Sequence, residues 1–108
     1  MKTFLFLCLL AASIKVATAN NENQKAYAIA KQNACLGCHA IDKKIVGPSF
    51  QAVAQNYKGD SSAQAFIQNK IINGGSGSWG VVPMPANTKL SAPDVSLLSA
   101  WILRGAPQ

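Results

Sequence analysis

Cys35-Leu36-Gly37-Cys38-His39 brings two thiols and one imidazole into five consecutive positions. Thiols three positions apart lie on one side of a helical turn, from which both can add to porphyrin vinyl groups as thioethers. The residue that follows can then turn its imidazole to the iron. C-x-x-C-H is accordingly the attachment signature of a covalent c-type heme. Three other uses of the same atoms compete with it. A structural zinc ion wants four ligands, drawn mostly from Cys and His. Beyond residue 19 the chain offers only Cys35, Cys38 and His39 of those types. A thioredoxin-like dithiol expects a βαβ neighbourhood, and a plain structural disulfide expects an oxidising compartment.

A heme iron bound by His39 needs a ligand on its other face. Met84 is the only methionine besides Met1, and it stands between Pro83 and Pro85. Methionine often serves only to fill an irregular gap in a core. Two flanking prolines instead make a stiff segment that holds a thioether in one place with little further loss of entropy. The chain contains no second histidine, so Met84 is the expected axial partner of His39. With both positions taken, the iron has no open site for substrate. That favours electron transfer over catalysis, and a thioether ligand raises the reduction potential.

These residues must be positioned by helices. Residues 24–33 place Ala26, Ile29 and Ala30 (with Tyr27) at 3-and-4 spacing, which predicts a helix after a polar, frayed stretch at 20–23. Residues 34–48 hold the cysteine motif in a loop closed by Gly47-Pro48. A short helix over 50–57 shows Phe50, Val53, Ala54 and Tyr57 on one face. A third helix starts with Ser61 or Ser62 as its cap, carries Ala65, Phe66, Ile67 and Ile71, and stops at Asn73-Gly74-Gly75. Residues 73–88 turn to Gly, Ser and Pro with Trp79 and Met84 embedded, a long irregular loop of the kind that carries function. The last helix opens at Ser91-Ala92-Pro93-Asp94 and exposes an apolar side of Val95, Leu97, Leu98, Trp101 and Ile102 before Gly105. No strand pattern or internal repeat is visible, so the expected class is all-α.

The first 19 residues have another purpose. Lys2, an apolar run at 4–12 and the terminal Ala17-Thr18-Ala19 have the layout of a secretory signal peptide with an A-x-A cleavage site. The run is too short for a membrane-spanning helix. Leu7 before Cys8 argues against lipid attachment there. Residues 20–108 then form one domain, small enough to need a staple such as a cofactor. Lys2 and Lys15 leave with the leader, so eight basic residues face four acidic ones, a net charge of +4. A surplus that modest, without arginine clusters, excludes a nucleic-acid binder and suits attraction to an acidic partner surface.

Residues 24–104 resemble the bacterial class I monoheme cytochromes c, in particular the small subgroup that donates electrons to nitrite reductases and terminal oxidases. The resemblance rests on Cys-Leu-Gly-Cys-His-Ala-Ile-Asp (35–42), Val-Gly-Pro-Ser-Phe (46–50), Asn-Gly (73–74), Trp-Gly (79–80), Pro-Met-Pro-Ala-Asn (83–87) and the Trp101 helix. It implies four short helices and long loops wrapped around one heme c. It also implies further roles. Pro48 offers its carbonyl to the non-ligating N–H of His39, Trp79 donates to a heme propionate, and Asn87 hydrogen-bonds near the Met84 sulfur. Lys70 stands where relatives often have an arginine near the propionate, and a lone ammonium cannot form the bidentate fork. By residue type alone, Pro48 is a turn residue, Trp79 a core residue, Asn87 a loop cap and Lys70 a solvated charge.

The expected function is that of a soluble, monomeric, periplasmic carrier of single electrons with no enzymatic activity. Its partners would be redox proteins: a donor such as a cytochrome complex, and an acceptor such as a terminal oxidase or reductase. No nucleic acid and no stable membrane insertion are expected. Lys25, Lys31, Lys43, Lys44, Lys58, Lys70 and Lys89 are either a positive docking rim or ordinary solubilising charges. A heme enzyme or gas sensor in which Met84 detaches, and a fixed subunit of a larger complex, are the competing functions.

Overall fold

The computed structural model describes residues 18–108, so the apolar run at 4–12 and Cys8 lie outside the described residues. Residues 18–32 are helical (α1). The helix includes 20–23, whose polar composition suggested fraying. Arg104 Nη2 donates to Asn23 Oδ1 at 3.0 Å and ties that turn to the far end of the chain. Ala26, Ile29 and Ala30 are buried as their spacing predicts. Asn33 closes the helix by donating its side-chain amide to Ile29 O at 2.8 Å. Ala34 then takes a left-handed conformation (φ 60°), which costs a non-glycine residue roughly 1 kcal/mol. The chain leaves it into a single 3₁₀ turn, Cys35–Gly37.

Helix α2 spans Phe50–Asn56. Ser49 caps it by accepting from Ala52 N at 3.0 Å, and Phe50 and Val53 are its buried residues. Helix α3 spans Ala63–Asn73. Ser62 occupies its N-cap position without a capping bond to the helix. Its N–H and hydroxyl instead both donate to Asp60 Oδ1, at 2.8 and 2.6 Å. The buried stripe is Ala63, Ile67 and Ile71. Phe66, one residue and about 100° around the helix from that stripe, is partly exposed rather than core. It leans on Tyr57 at 5.4 Å.

Helix α4, Ala92–Leu103, is the centre of the molecule. Ser91 accepts from Asp94 N at 3.3 Å and Pro93 lies in the first turn. The helix packs on both α2 and α3. Trp101 is completely buried, edge-on to Phe50 at 5.5 Å and to Tyr27 of α1 at 6.3 Å. Its indole N–H donates to Pro107 O at 2.8 Å. Ser99 is also fully buried. It is satisfied by donating to Val95 O and accepting from Gln64 of α3 at 2.7 Å. Among the described residues there is no strand, only two isolated bridges, His39–Lys44 and Gly75–Met84. The fold is all-α, and no described helix is long and apolar enough to cross a membrane.

Two outcomes follow. Trp101→Ala removes the central ring and leaves a cavity, so denaturant unfolding of the variant should show a loss of about 3–5 kcal/mol. The hydrogen bonds from Ser62 hold the Asp60 carboxyl below the ordinary aspartate value. A lowered folded value adds stability above the unfolded pKa of about 4, and that stability is lost as the pH falls through the folded value. Melting curves of Asp60→Asn should lie below those of the parent at neutral pH and converge with them in acid.

Candidate heme site

The chain from Cys38 to Gln51 is knitted into one loop by its own backbone. Cys38 and His39 donate back to Cys35 O at 3.2 and 2.9 Å, completing the tight turn. Gly47 N donates to Cys38 O at 2.8 Å, Phe50 N to Ala40 O at 2.9 Å, and Gln51 N to Ile41 O at 3.0 Å. The loop closes around the His39 ring. Phe50 stacks on it with centroids 5.4 Å apart and planes 20° from parallel. Pro48 O lies 2.7 Å from Nδ1. Gly47 passes so close that a Cβ there would fall 2.5 Å from Cε1, leaving room for glycine only. A carbonyl can only accept, so it fixes the proton on Nδ1 and leaves the Nε2 lone pair as the ring's outward donor.

Cys35 and Cys38 are both half-buried and are not joined to each other. Burial pushes the Cys35 thiol up, partly offset by its backbone hydrogen bond and reinforced by the nearby Cys38. Both sulfurs are unpaired, the reduced state from which each can add to a vinyl group. Among the described residues no three His, Cys, Asp or Glu side chains converge on a metal position.

Met84 is held by a different device. Its N–H donates to Gly75 O at 2.8 Å and its carbonyl accepts from Gly75 N at 2.9 Å. Gly74 ends α3 with φ 66°. A Cβ on it would collide with the Met84 carbonyl and lie 2.7 Å from Ala86 N. The side chain of Met84 is half-buried and packs against the same core as Cys35, Leu36 and Ile41. The fold thus brings the two ends of the sequence motif set onto one core.

The other expected residues are less uniform. Pro48 places its carbonyl against His39 Nδ1. Trp79 stands partly exposed on the Gly-Ser loop, not in the core. The Lys70 ammonium sits 5.7 Å from the Phe66 ring. Asn87 donates its side-chain amide to Asn33 Oδ1 at 3.2 Å, so at least one of its two N–H bonds is directed away from Met84. Phe50 and Asn33 belong to no motif, and their contacts with site residues emerge only once the chain is folded. The two loops that carry the site also expose Ile45, Val46, Val81 and Val82, with Val81 at 91%. Two thiols in one turn, a clamped imidazole, a half-buried thioether and an apolar rim fit a covalent heme.

A profile of the cytochrome c family matches residues 23–105. The cytochrome c-552 of Nitrosomonas europaea is 37% identical over 101 residues, covering 94% of this chain and 90% of that one. The cytochrome c-551 of Pseudomonas aeruginosa is 37% identical over 108 residues, covering 95% and 97%. The crystal structure of the N. europaea protein superposes with a TM-score of 0.70 at 38% identity, over 73% of this chain and 98% of that one. Motif, fold and relatives agree, and the chain belongs to the cytochrome c family, as a bacterial class I electron-transfer protein that carries one heme c bound through Cys35 and Cys38.

Proposed function

We propose that His39 and Met84 are the two axial ligands of the iron, and that the protein carries electrons singly between respiratory partners in the periplasm. The observation that supports this most is the His39 clamp, with Nδ1 committed to Pro48 O at 2.7 Å and Nε2 left for metal. When bound, the heme supplies the iron that accepts and releases the electron. The chain's part is to keep the ligands still while the charge changes. Phe50 and Gly47 prevent the imidazole from tilting, and Pro83, Pro85 and the Gly75 bridge restrain the thioether. Burial and the thioether both favour the reduced state. Trp79 and Lys70 are assigned to the propionate side, and Asn87 to support of the Met84 loop.

Residues 1–19 act as an export signal removed after Ala19, leaving 20–108 as the mature, monomeric domain. Residues 18–22 are exposed, so cleavage there disturbs no core contact. The match to the P. aeruginosa relative covers 95% of this chain and so takes in most of the leader. Partners are a donor such as a cytochrome complex and an acceptor such as a terminal oxidase or reductase. Lys43 and Lys44 adjoin the exposed Ile45 and Val46 and supply positive charge beside an apolar surface. Lys25 is partly neutralised by Asp94 at 3.9 Å.

A redox-monitored absorbance titration of the holoprotein tests the ligand set. The oxidised protein should show the iron–sulfur absorption band near neutral pH. Met84→Ala should lose the band, lower the potential and admit carbon monoxide to the reduced form. Carbon monoxide binding by the unaltered protein without unfolding would reject the proposal in favour of an open-site enzyme or sensor. Gly74→Ala should weaken the same band while the helical circular dichroism stays unchanged, since its methyl group displaces only the Met84 segment.

A further inference from the structure

Asn87 lies three residues after Met84 and is anchored in three directions. Its backbone N–H donates to Ile71 O of α3 at 2.8 Å. Its Oδ1 accepts from Lys89 N and Leu90 N at 2.9 and 3.1 Å. Two backbone N–H groups facing one side-chain atom require that atom to be the oxygen. The amide nitrogen is thereby turned to Asn33 Oδ1, 3.2 Å away and 54 positions earlier in the chain.

Asn33 is itself held from two sides. Its Nδ2 donates to Ile29 O at 2.8 Å, and its backbone N–H reaches the same carbonyl at 3.1 Å. That leaves Oδ1 as its one side-chain acceptor, pointing at the Met84 loop. Its backbone carbonyl lies 4.0 Å from Cys35 Sγ. One residue therefore faces the heme-attachment cysteine with its main chain and the axial-ligand loop with its side chain. The Met84 loop needs such a tie. Its residues 75–83 are all exposed, and few apolar contacts hold it.

We infer that Asn33 is a positioning residue for Met84, a clasp that joins the end of α1 to the ligand loop through Asn87 and limits how often the thioether leaves the iron. The inference rests on Met84 being the axial ligand. Removing one such hydrogen bond should raise the Met-dissociated fraction on the order of fivefold.

The test compares Asn33→Ala with Asn33→Asp in the holoprotein. Aspartate keeps an acceptor for Asn87 but loses the bond to Ile29 O. Alanine loses both. On heating, the iron–sulfur band of Asn33→Ala should fade well before its helical signal, with a lowered potential. In Asn33→Asp the band and the helical signal should fade together, whatever the overall loss of stability. If both variants lose the band only on global unfolding, and their potentials match the parent's, the clasp is overturned and Met84 ligation stands. Absence of the band in the parent overturns both. Should Asn33→Ala fail to fold, nuclear Overhauser contacts between the Asn87 side-chain amide and the Asn33 β-protons in the reduced parent decide the matter. Their absence refutes the clasp.

Discussion

The 2.7 Å contact between His39 Nδ1 and the Pro48 carbonyl is the constraint around which the molecule is built. It sets the tautomer of His39, and it exists only because residues 38–51 fold back on themselves through backbone bonds. Those bonds in turn depend on the core. His39 stacks on Phe50, Phe50 meets Trp101 edge-on, and Trp101 meets Tyr27 in the same way. The ring series runs from His39 through α2 and α4 to α1. A neutral carbonyl, where a carboxylate could have stood, leaves the imidazole a weaker electron donor.

His39 and Met84 are held by different physics. His39 is held by packing against buried aromatic surface, the kind of contact that resists local opening. Met84 is held by a short backbone bridge to Gly75 and by two prolines, in a loop with little apolar cover. Exposed hydrogen bonds and few buried contacts are the marks of the less stable part of a structure. The Met84 segment is therefore the part of the site that opens most readily.

Much of this was legible in the sequence, because the attachment chemistry is local. Cys35, Cys38 and His39 lie within five positions, and Met84 is set apart by its prolines and its scarcity. The helix caps at Ser91 and the stripes in α1 and α4 follow from periodicity. What sequence alone could not show is what long-range pairing decides. The expected role of Asn87 beside the sulfur said nothing of Asn33, because a contact across 54 positions leaves no spacing to read. Ile67 and Ile71 are buried as the spacing suggested. Phe66, in the same apolar set, is partly exposed and Ala63, outside it, is buried, because the orientation of α3 on α4 decides which side faces in. Ser62 looked like a cap, but the competing carboxylate of Asp60 took its donors.

The place of α4 in the order of the chain has a consequence for biogenesis. The helix that supplies the central indole follows every other element, so a polypeptide emerging from its amino end first presents Cys35–His39 before anything can cover that segment. Only the arrival of Trp101 gives Phe50 and Tyr27 the ring that both meet edge-on and so completes the interior beneath the site.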